Sequence, residues 1–347
     1  MSNVAKDCSN YTNFVKIAMG AYGTVYRAKD KRKGCYVAIK EIMKEKYDNP
    51  KEITQKEVNI LKKLANENSV KFIEVIESSS YFYIVMEFCE YNLQSYINFK
   101  RNGPLTINEI KTVLSQLNNT FKLMLKAQLI HRDIKPSNIL ISLENLDKCS
   151  IKLSDYGLIK ELSGSITFSG TPLIMAPEVL NDEEDITKSD LWSIGILIYF
   201  MYFKEYPYNG KSEVALLKDI KSGKKIKTIP NEDLNDLLSK LLKINPNQRI
   251  SWEDYFKHKF FDQDKEKGLF FNFKCQKHLK ILHSYCQNCK LNICECCLDE
   301  HNNHIIIPFN NIGLNNDEIK QIEILIKEIE KRLNILTQLK NNIQSIF

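Results

Sequence analysis

Apolar positions along the chain change period several times. From residue 14 to 43 they alternate or run in short stretches, with Val25, Tyr26, Val37, Ala38 and Ile39 separated by turn residues Gly20, Gly23 and Gly34. That pattern predicts β-hairpins. Within 51–65, Ile53, Val58, Leu61 and Leu64 fall on one stripe and predict a helix. Residues 70–76 and 81–88 are apolar, aromatic-rich and strand-like. From about 105 to 261 the pattern is mainly helical, interrupted by a loop-rich stretch at 131–178. The longest apolar run, Leu191 to Phe203, is too short to span a bilayer, which needs about 20 residues, and predicts a buried helix. The charged run 262–268 (DQDKEKG) reads as a linker, a Cys/His cluster follows at 275–304, and a last helical period runs over 316–346. There are no internal repeats.

Composition changes this picture little, with two exceptions. The chain has 347 residues, room for two or three domains, and a formal net charge of +6. The positive charge is scattered, and Lys outnumbers Arg 43 to 6, so a compositional bias explains it better than a nucleic-acid surface. Scarce Arg residues are therefore informative. The second exception is cysteine: six of ten fall between Cys275 and Cys297. The N-terminus is polar, without the pattern of a signal peptide. The expected setting is a reducing intracellular compartment, cytoplasm or nucleus, where clustered Cys bind metal rather than form disulfides.

Phosphoryl transfer needs a phosphate cover, a phosphate-pairing cation, metal-binding carboxylates and a base near the attacking hydroxyl. The sequence offers each in order. Ala18-Met19-Gly20-Ala21-Tyr22-Gly23-Thr24-Val25 has two glycines that let backbone N–H groups approach phosphate. Val37-Ala38-Ile39-Lys40 ends an apolar strand on a cation, and Glu57 sits on the next helix as its ion-pair partner. His131-Arg132-Asp133-Ile134-Lys135-Pro136-Ser137-Asn138 follows, then Asp155-Tyr156-Gly157, Ala176-Pro177-Glu178, Asp190-Leu191-Trp192-Ser193-Ile194-Gly195 and Arg249.

With these motifs, residues 14–261 resemble a eukaryotic serine/threonine protein kinase domain. The resemblance implies an α+β, two-lobed kinase fold preceded by an N-terminal tail at 1–13. It implies an ATP- and Mg²⁺-dependent enzyme that phosphorylates protein substrates. By the same resemblance Asp133 is the catalytic base, Lys135 contacts the γ-phosphate, Asn138 and Asp155 hold Mg²⁺, Lys40 pairs with the α/β-phosphates, and Thr171 contacts Asp133. Ile17, Ala18, Gly20, Gly23, Val25, Ala38, Lys40, Met86, Glu87, Cys89 and Leu140 are the ATP-site candidates. Arg249 would pair with Glu178. The sequence departs from the family pattern at Ala18, where Gly is usual, and at Tyr156, where Phe is usual. Those departures favour a pseudokinase scaffold as the alternative. Arg132 before the catalytic Asp goes with control by activation-segment phosphorylation, for which Thr167, then Ser165 and Ser169, are candidates. The stretches MEFCEYNLQSYI and GTPLIMAPEVL resemble autophagy-initiating and calcium-regulated kinases.

The Cys/His cluster reads Cys275-x2-His278-x7-Cys286-x2-Cys289-x4-Cys294-x2-Cys297-x3-His301-x2-His304. Four pairs with two-residue gaps make two tetrahedral Zn²⁺ sites and leave no open catalytic position. The spacing over 274–310 resembles the type 2 B-box zinc finger, a small cross-braced module. That resemblance interleaves the ligands: Cys275, His278, Cys294 and Cys297 on one zinc, Cys286, Cys289, His301 and His304 on the other. Cys296 and His283 are expected to stay outside both sets. The spacing fits neither a RING finger nor a ββα finger. In the last segment Ile319, Ile322, Ile326, Ile329, Leu333, Leu336, Ile343 and Phe347 follow three/four spacing. This resembles the coiled coil that follows B-boxes and implies a homodimer; an amphipathic helix folded back on the chain is the other reading. The B-box would bind an unidentified protein partner.

Overall fold

The computed structural model describes residues 3–20, 23–99, 104–145, 148–161, 171–183, 185–262, 282–286, 288–289 and 291–308. Cys275, His278, the candidate phosphosites and the expected helix at 316–346 lie outside them. The chain divides into two compact units, Met1–Phe271 and Asn272–Phe347.

In the first unit a short helix α1 (Asn3–Asp7) precedes strands β1 (Tyr11–Gly20), β2 (Gly23–Asp30) and β3 (Tyr36–Met43). Helix α2 (Pro50–Lys63), with Pro in its first turn, comes next, then β4 (Phe72–Glu77) and β5 (Tyr81–Glu87). The five strands form one antiparallel sheet in the order β1-β2-β3-β5-β4. Register fixes what each face carries. Val25 lies opposite Lys40, and Ala38 opposite Met86. With the two-residue alternation of strands, Val25, Ala38, Lys40 and Met86 therefore share one face. Val37, Ile39, Tyr83, Val85 and Ala28 are buried on the other.

That second face corrects the expected 1–13 tail. Val4, Cys8 and Tyr11 are buried in the same cluster as Val37, Ile39 and Tyr83, and the Tyr83 hydroxyl donates to Asp7 Oδ2 at 2.8 Å. Val4 on α1, Cys8 just after it and Tyr11 at the start of β1 together cover this face of the sheet. Next to it, Arg32 reaches Asp30 and Glu74 at 3.1 and 2.9 Å, and Glu74 accepts from the Tyr11 hydroxyl.

The rest of the unit is mainly helical, with β6 (Tyr91–Asn92), α3 (Leu93–Phe99), α4 (Ile107–Lys126) and β7 (Leu129–Ile130) leading into it. Thr106 and Glu109 close a capping box at the start of α4: Thr106 Oγ1 accepts from Glu109 N at 3.3 Å and Glu109 Oε2 from Thr106 N at 2.8 Å. The stretch expected to be loop-rich contains two paired strands, β8 (Ile139–Asn145) and β9 (Lys148–Leu153), and the short β10 (Lys160–Glu161). Helices α5 (Pro177–Leu180), α6 (Ser189–Phe203), α7 (Glu213–Lys221), α8 (Glu232–Leu241) and α9 (Trp252–Phe256) complete it. Helix α6 is buried all round, from Ser189 to Met201, as its unbroken apolar run requires. Gly195 is where α8 crosses it; a Cβ there would lie 2.7 Å from Leu242 Cδ2. Among the described residues no helix is long and apolar enough to cross a membrane.

The second unit contains a three-stranded antiparallel sheet, β12 (Leu291–Cys294), β11 (Leu282–Cys286) and β13 (Ile306–Pro308) in spatial order, with a 3₁₀ segment at Glu295–His301. Among its described residues Cys286, Ile293, Cys294 and Cys297 form a small buried cluster.

Because Val4 and Cys8 are fully buried, deleting residues 1–10 uncovers the outer sheet face. The loss is about 3 kcal/mol, which lowers the thermal midpoint by at least about 5 °C. An unchanged midpoint in a melting experiment would contradict this packing.

Candidate functional site

The inner sheet face and the start of the helical half bring two side-chain clusters together. The first is built on Lys40. Its Nζ lies 2.6 Å from Glu57 Oε1 on α2 and 3.3 Å from Asp155 Oδ1, which follows β9. Burial lowers the ammonium's pKa, but the charges of Glu57 and Asp155 outweigh it and hold Lys40 above its ordinary range. For Asp155 burial raises the pKa, yet the charge and hydrogen bond of Lys40 bring it below the usual carboxylate value. Asp155 is in the left-handed region at φ 61°, an uncommon conformation for a non-glycine residue. A Cβ on the adjacent Gly157 would stand 3.3 Å from Lys40 Nζ, so the small residue keeps the cluster compact.

The second cluster is built on Asp133. Its Oδ1 accepts from the Thr171 hydroxyl at 2.9 Å, its Oδ2 accepts from Asn138 Nδ2 at 2.8 Å, and Lys135 Nζ lies 2.7 Å from Oδ2. Lys135 also donates to Thr171 Oγ1 at 2.7 Å. Three donors thereby orient a buried carboxylate that has about four lone-pair sites.

The backbone carrying Asp133 is held by groups outside the motif. Asp190, at the start of α6, accepts from His131 N at 2.7 Å and Arg132 N at 2.9 Å. Burial raises its pKa. Arg132 has φ 69°, and the Asp190 bonds hold that left-handed turn in place. His131 Nδ1 accepts from Asp133 N at 3.3 Å, so its Nε2–H donates to the Ser154 carbonyl at 3.1 Å; this network assigns the neutral Nε2–H tautomer. The sequence reading missed Asp190 and Ser154 as supports. A lone Asp entering an otherwise apolar helix was the available signal.

Tyr156 is fully buried. Its hydroxyl donates to the Leu153 carbonyl at 3.0 Å, and its ring meets His131 edge-on with centroids 5.7 Å apart. The hydroxyl that distinguishes it from Phe is therefore satisfied without displacing Asp155.

The ATP-site candidates lie around these clusters. Val25, Met86, Glu87, Cys89 and Leu140 are half-buried and Ala38 is buried, while Ile17 and Ala18 at the edge strand are exposed. Gly23 has φ 138°, and a Cβ there would lie 1.9 Å from the Glu41 carbonyl oxygen, so no other residue fits this strand opening. Burial and the Glu87 charge push the Cys89 thiol up to about 12, which leaves it protonated and unreactive near neutral pH.

Arg249 Nη1 and Nη2 donate to Glu178 Oε1 and Oε2 at 2.5 and 2.8 Å, and both side chains are fully buried. The guanidinium also binds the Lys188 and Lys243 carbonyls at 2.8 and 3.1 Å and lies over the Trp192 ring. This ties α5, just after Thr171, to the helical core, and a lysine has no fork to replace it.

In the second unit the ligand-capable atoms of Cys286, Cys289, His301 and His304 all lie within 4.8 Å of one another. The closest approach of sulfur to nitrogen is 3.2 Å, Cys289 Sγ to His304 Nδ1. An S₂N₂ set converging on one point suits Zn²⁺. Cys294 and Cys297 form a separate pair with sulfurs 3.7 Å apart; Cys275 and His278, expected to join them, lie outside the described residues. Cys296 is exposed.

Comparison with known proteins agrees with both units. The family model for the protein kinase domain matches residues 11–261, and that for the B-box zinc finger matches 271–309. The chain belongs to the protein kinase family, in a variant where a B-box zinc finger follows the kinase domain. Serine/threonine-protein kinase atg1 of Dictyostelium discoideum is 33% identical over 269 residues, 74% of this chain and 40% of that protein. Serine/threonine-protein kinase ATG1a of Arabidopsis thaliana is 30% identical over 76% of this chain and 43% of its own length. Calcium-dependent protein kinase 5 of Plasmodium falciparum is 29% identical over 80% and 50%. The chain thus spans half or less of the length of these curated relatives.

Replacing Arg249 by Ala strands the fully buried Glu178 carboxylate. The kinase unit then loses about 3–5 kcal/mol in denaturant unfolding, and Arg249→Lys falls between the two. A loss below ~1 kcal/mol for the Ala variant would show that the pair does not hold α5.

Proposed function

We propose that this chain transfers the γ-phosphate of ATP to serine and threonine hydroxyls of protein substrates, with the zinc module serving partner binding or localisation. The observation that carries the reading is the Asp133 carboxylate, oriented by Thr171, Asn138 and Lys135 in the same site as the Lys40–Glu57–Asp155 cluster.

In this reading the substrate hydroxyl reaches Asp133, which accepts its proton as the oxygen attacks the γ-phosphorus, while the bond from that phosphorus to the β–γ bridging oxygen breaks and ADP leaves. Thr171 holds the free rotation of that carboxylate and helps receive the hydroxyl. Lys40, kept protonated and steered by Glu57, pairs with the α/β-phosphates, and Lys135 stands beside Asp133 to meet the γ-phosphate. Asn138 and Asp155 would hold Mg²⁺, which supplies charge neutralisation on the phosphates. Gly20 and Gly23 leave room over the phosphates, while Ile17, Ala18, Val25 and Ala38 roof the base. Met86, Glu87 and Cys89 form its edge and Leu140 its floor. The satisfied Tyr156 hydroxyl removes one of the two reasons for reading the chain as a scaffold.

Cys286, Cys289, His301 and His304 would hold one zinc; Cys294 and Cys297, with Cys275 and His278, a second. Zinc is then folding energy for a unit whose described core is four residues. Thiolate ligands suit a reducing compartment, cytoplasm or nucleus. Phosphorylation at Thr167, Ser165 or Ser169, and dimerisation through 316–346, belong to the same reading.

Purified full-length protein should phosphorylate a generic Ser/Thr substrate with Mg²⁺-ATP. Asp133→Asn and Asp155→Ala should each lower kcat by ~10²-fold or more. Wild-type turnover no greater than that of Asp155→Ala would favour the scaffold. Metal analysis should find two zinc equivalents per chain, falling by one in Cys286→Ser; one equivalent in the wild type would defeat the two-site assignment.

A further inference from the structure

Lys152 is a buried ammonium to which the phosphate-transfer site gives no task. It is only 6% exposed. A buried charge of this kind is costly unless fully paired, and an apolar residue of similar size would avoid the cost.

Its surroundings point to the edge of the nucleotide site. Lys152 on β9 lies directly opposite Leu140 on β8, so the two side chains share one face of that ribbon. Lys152 Nζ lies 3.1 Å from Glu87 Oε1, at the end of β5. It also donates to the Glu67 carbonyl, between α2 and β4, at 3.0 Å. Glu87 Oε1 accepts from Lys71 N at 2.7 Å as well, and Glu87 N donates back to the Lys71 carbonyl at 2.9 Å. The neighbour of Glu67, Asn68, is itself fixed to the helical half. Its Nδ2 donates to the Ile151 carbonyl at 2.9 Å and to Gln116 Oε1 at 3.1 Å. One ammonium therefore joins β9, the α2–β4 loop and the end of β5. The thiol of Cys89 feels both charges of the pair.

We propose that Lys152 is a positioning residue for the nucleotide: by holding the Glu87 carboxylate and the Glu67 carbonyl, it sets the height of the 86–89 segment above Leu140 and so the width of the slot between Ala38 and Leu140. This rests on reading that slot as the ATP site. Lys152 touches no reacting atom, so its loss acts on nucleotide affinity rather than on the transfer step.

The test uses full-length protein with Lys152→Met, Lys152→Arg and Glu87→Gln. Two readouts apply: steady-state kinetics in ATP, and hydrogen exchange of the 86–89 amides without nucleotide. Lys152→Met should raise KM for ATP about tenfold with kcat within about threefold of wild type, the signature of lost ground-state binding. Its 86–89 amides should exchange faster. Lys152→Arg should recover most of both effects. Glu87→Gln should reproduce the KM rise, and the double variant Lys152→Met/Glu87→Gln should be no worse than the single ones. An unchanged KM with unchanged exchange in Lys152→Met overturns the proposal, as does a defect confined to kcat. Should Lys152→Met fail to fold, Glu87→Gln decides by the same two readouts. Should the wild type show no ATP turnover, the functional reading fails, and exchange alone decides the brace.

Discussion

A positive charge placed inside a protein dictates where its neighbours must be. Lys40 stands on the inner face of the five-stranded sheet, out of water, and tolerates that position only with Glu57 and Asp155 against it. Glu57 brings α2 to the sheet. Asp155 brings the end of β9, and with it the turn containing Tyr156 and Gly157. Three pieces of chain, spread over 115 residues of sequence, are thus set by one ammonium. The apolar clusters around them supply most of the stabilisation, but hydrophobic packing has no direction and would accept other arrangements.

The same logic recurs in the helical half. Asp190, buried at the head of α6, is satisfied by the backbone of His131 and Arg132 and in return fixes the left-handed turn that presents Asp133. Glu178 and Arg249 do this for α5. Each buried ion is bound to the main chain or to a partner on another element. The reactive loops are therefore shaped by polar groups set into an apolar scaffold, and a loop with few apolar residues of its own still holds one conformation.

Where chemistry demands neighbouring residue types, the sequence was readable. Asp133 and Asn138 are five positions apart because one short turn must carry both, and Cys286 and Cys289 are three apart because one tight turn must offer both sulfurs. Lys40 and Glu57 are linked only through the fold, yet the strand end and the helical stripe placed each one. Other features were hidden for physical reasons. The five-residue α1 is too short to show a period, and Val4, Cys8 and Tyr11, which share one buried cluster, belong to a helix, the turn after it and a strand. Strands β8 and β9 alternate with polar residues such as Ser142 and Ser150 and lie among helices. Lys152 looks like the solvated side of such a strand until the register with Leu140 and the position of Glu87 are known. Satisfaction of the Tyr156 hydroxyl likewise depends on a carbonyl that only the folded turn presents.

The two faces of the sheet leave β3 no freedom to slide. Ile39 packs under α1, and Lys40, one residue later, faces α2 and Asp155. Inserting or removing a single residue in Tyr36–Met43 would exchange the two environments, driving an ammonium among Val4, Tyr83 and Val85 and an isoleucine against two carboxylates. Point substitutions on this strand can be graded by size or polarity, but a one-residue change of length cannot. Variation in length among chains built this way should therefore collect in the turns at 31–35 and 44–49, where the backbone can absorb it without turning the strand over.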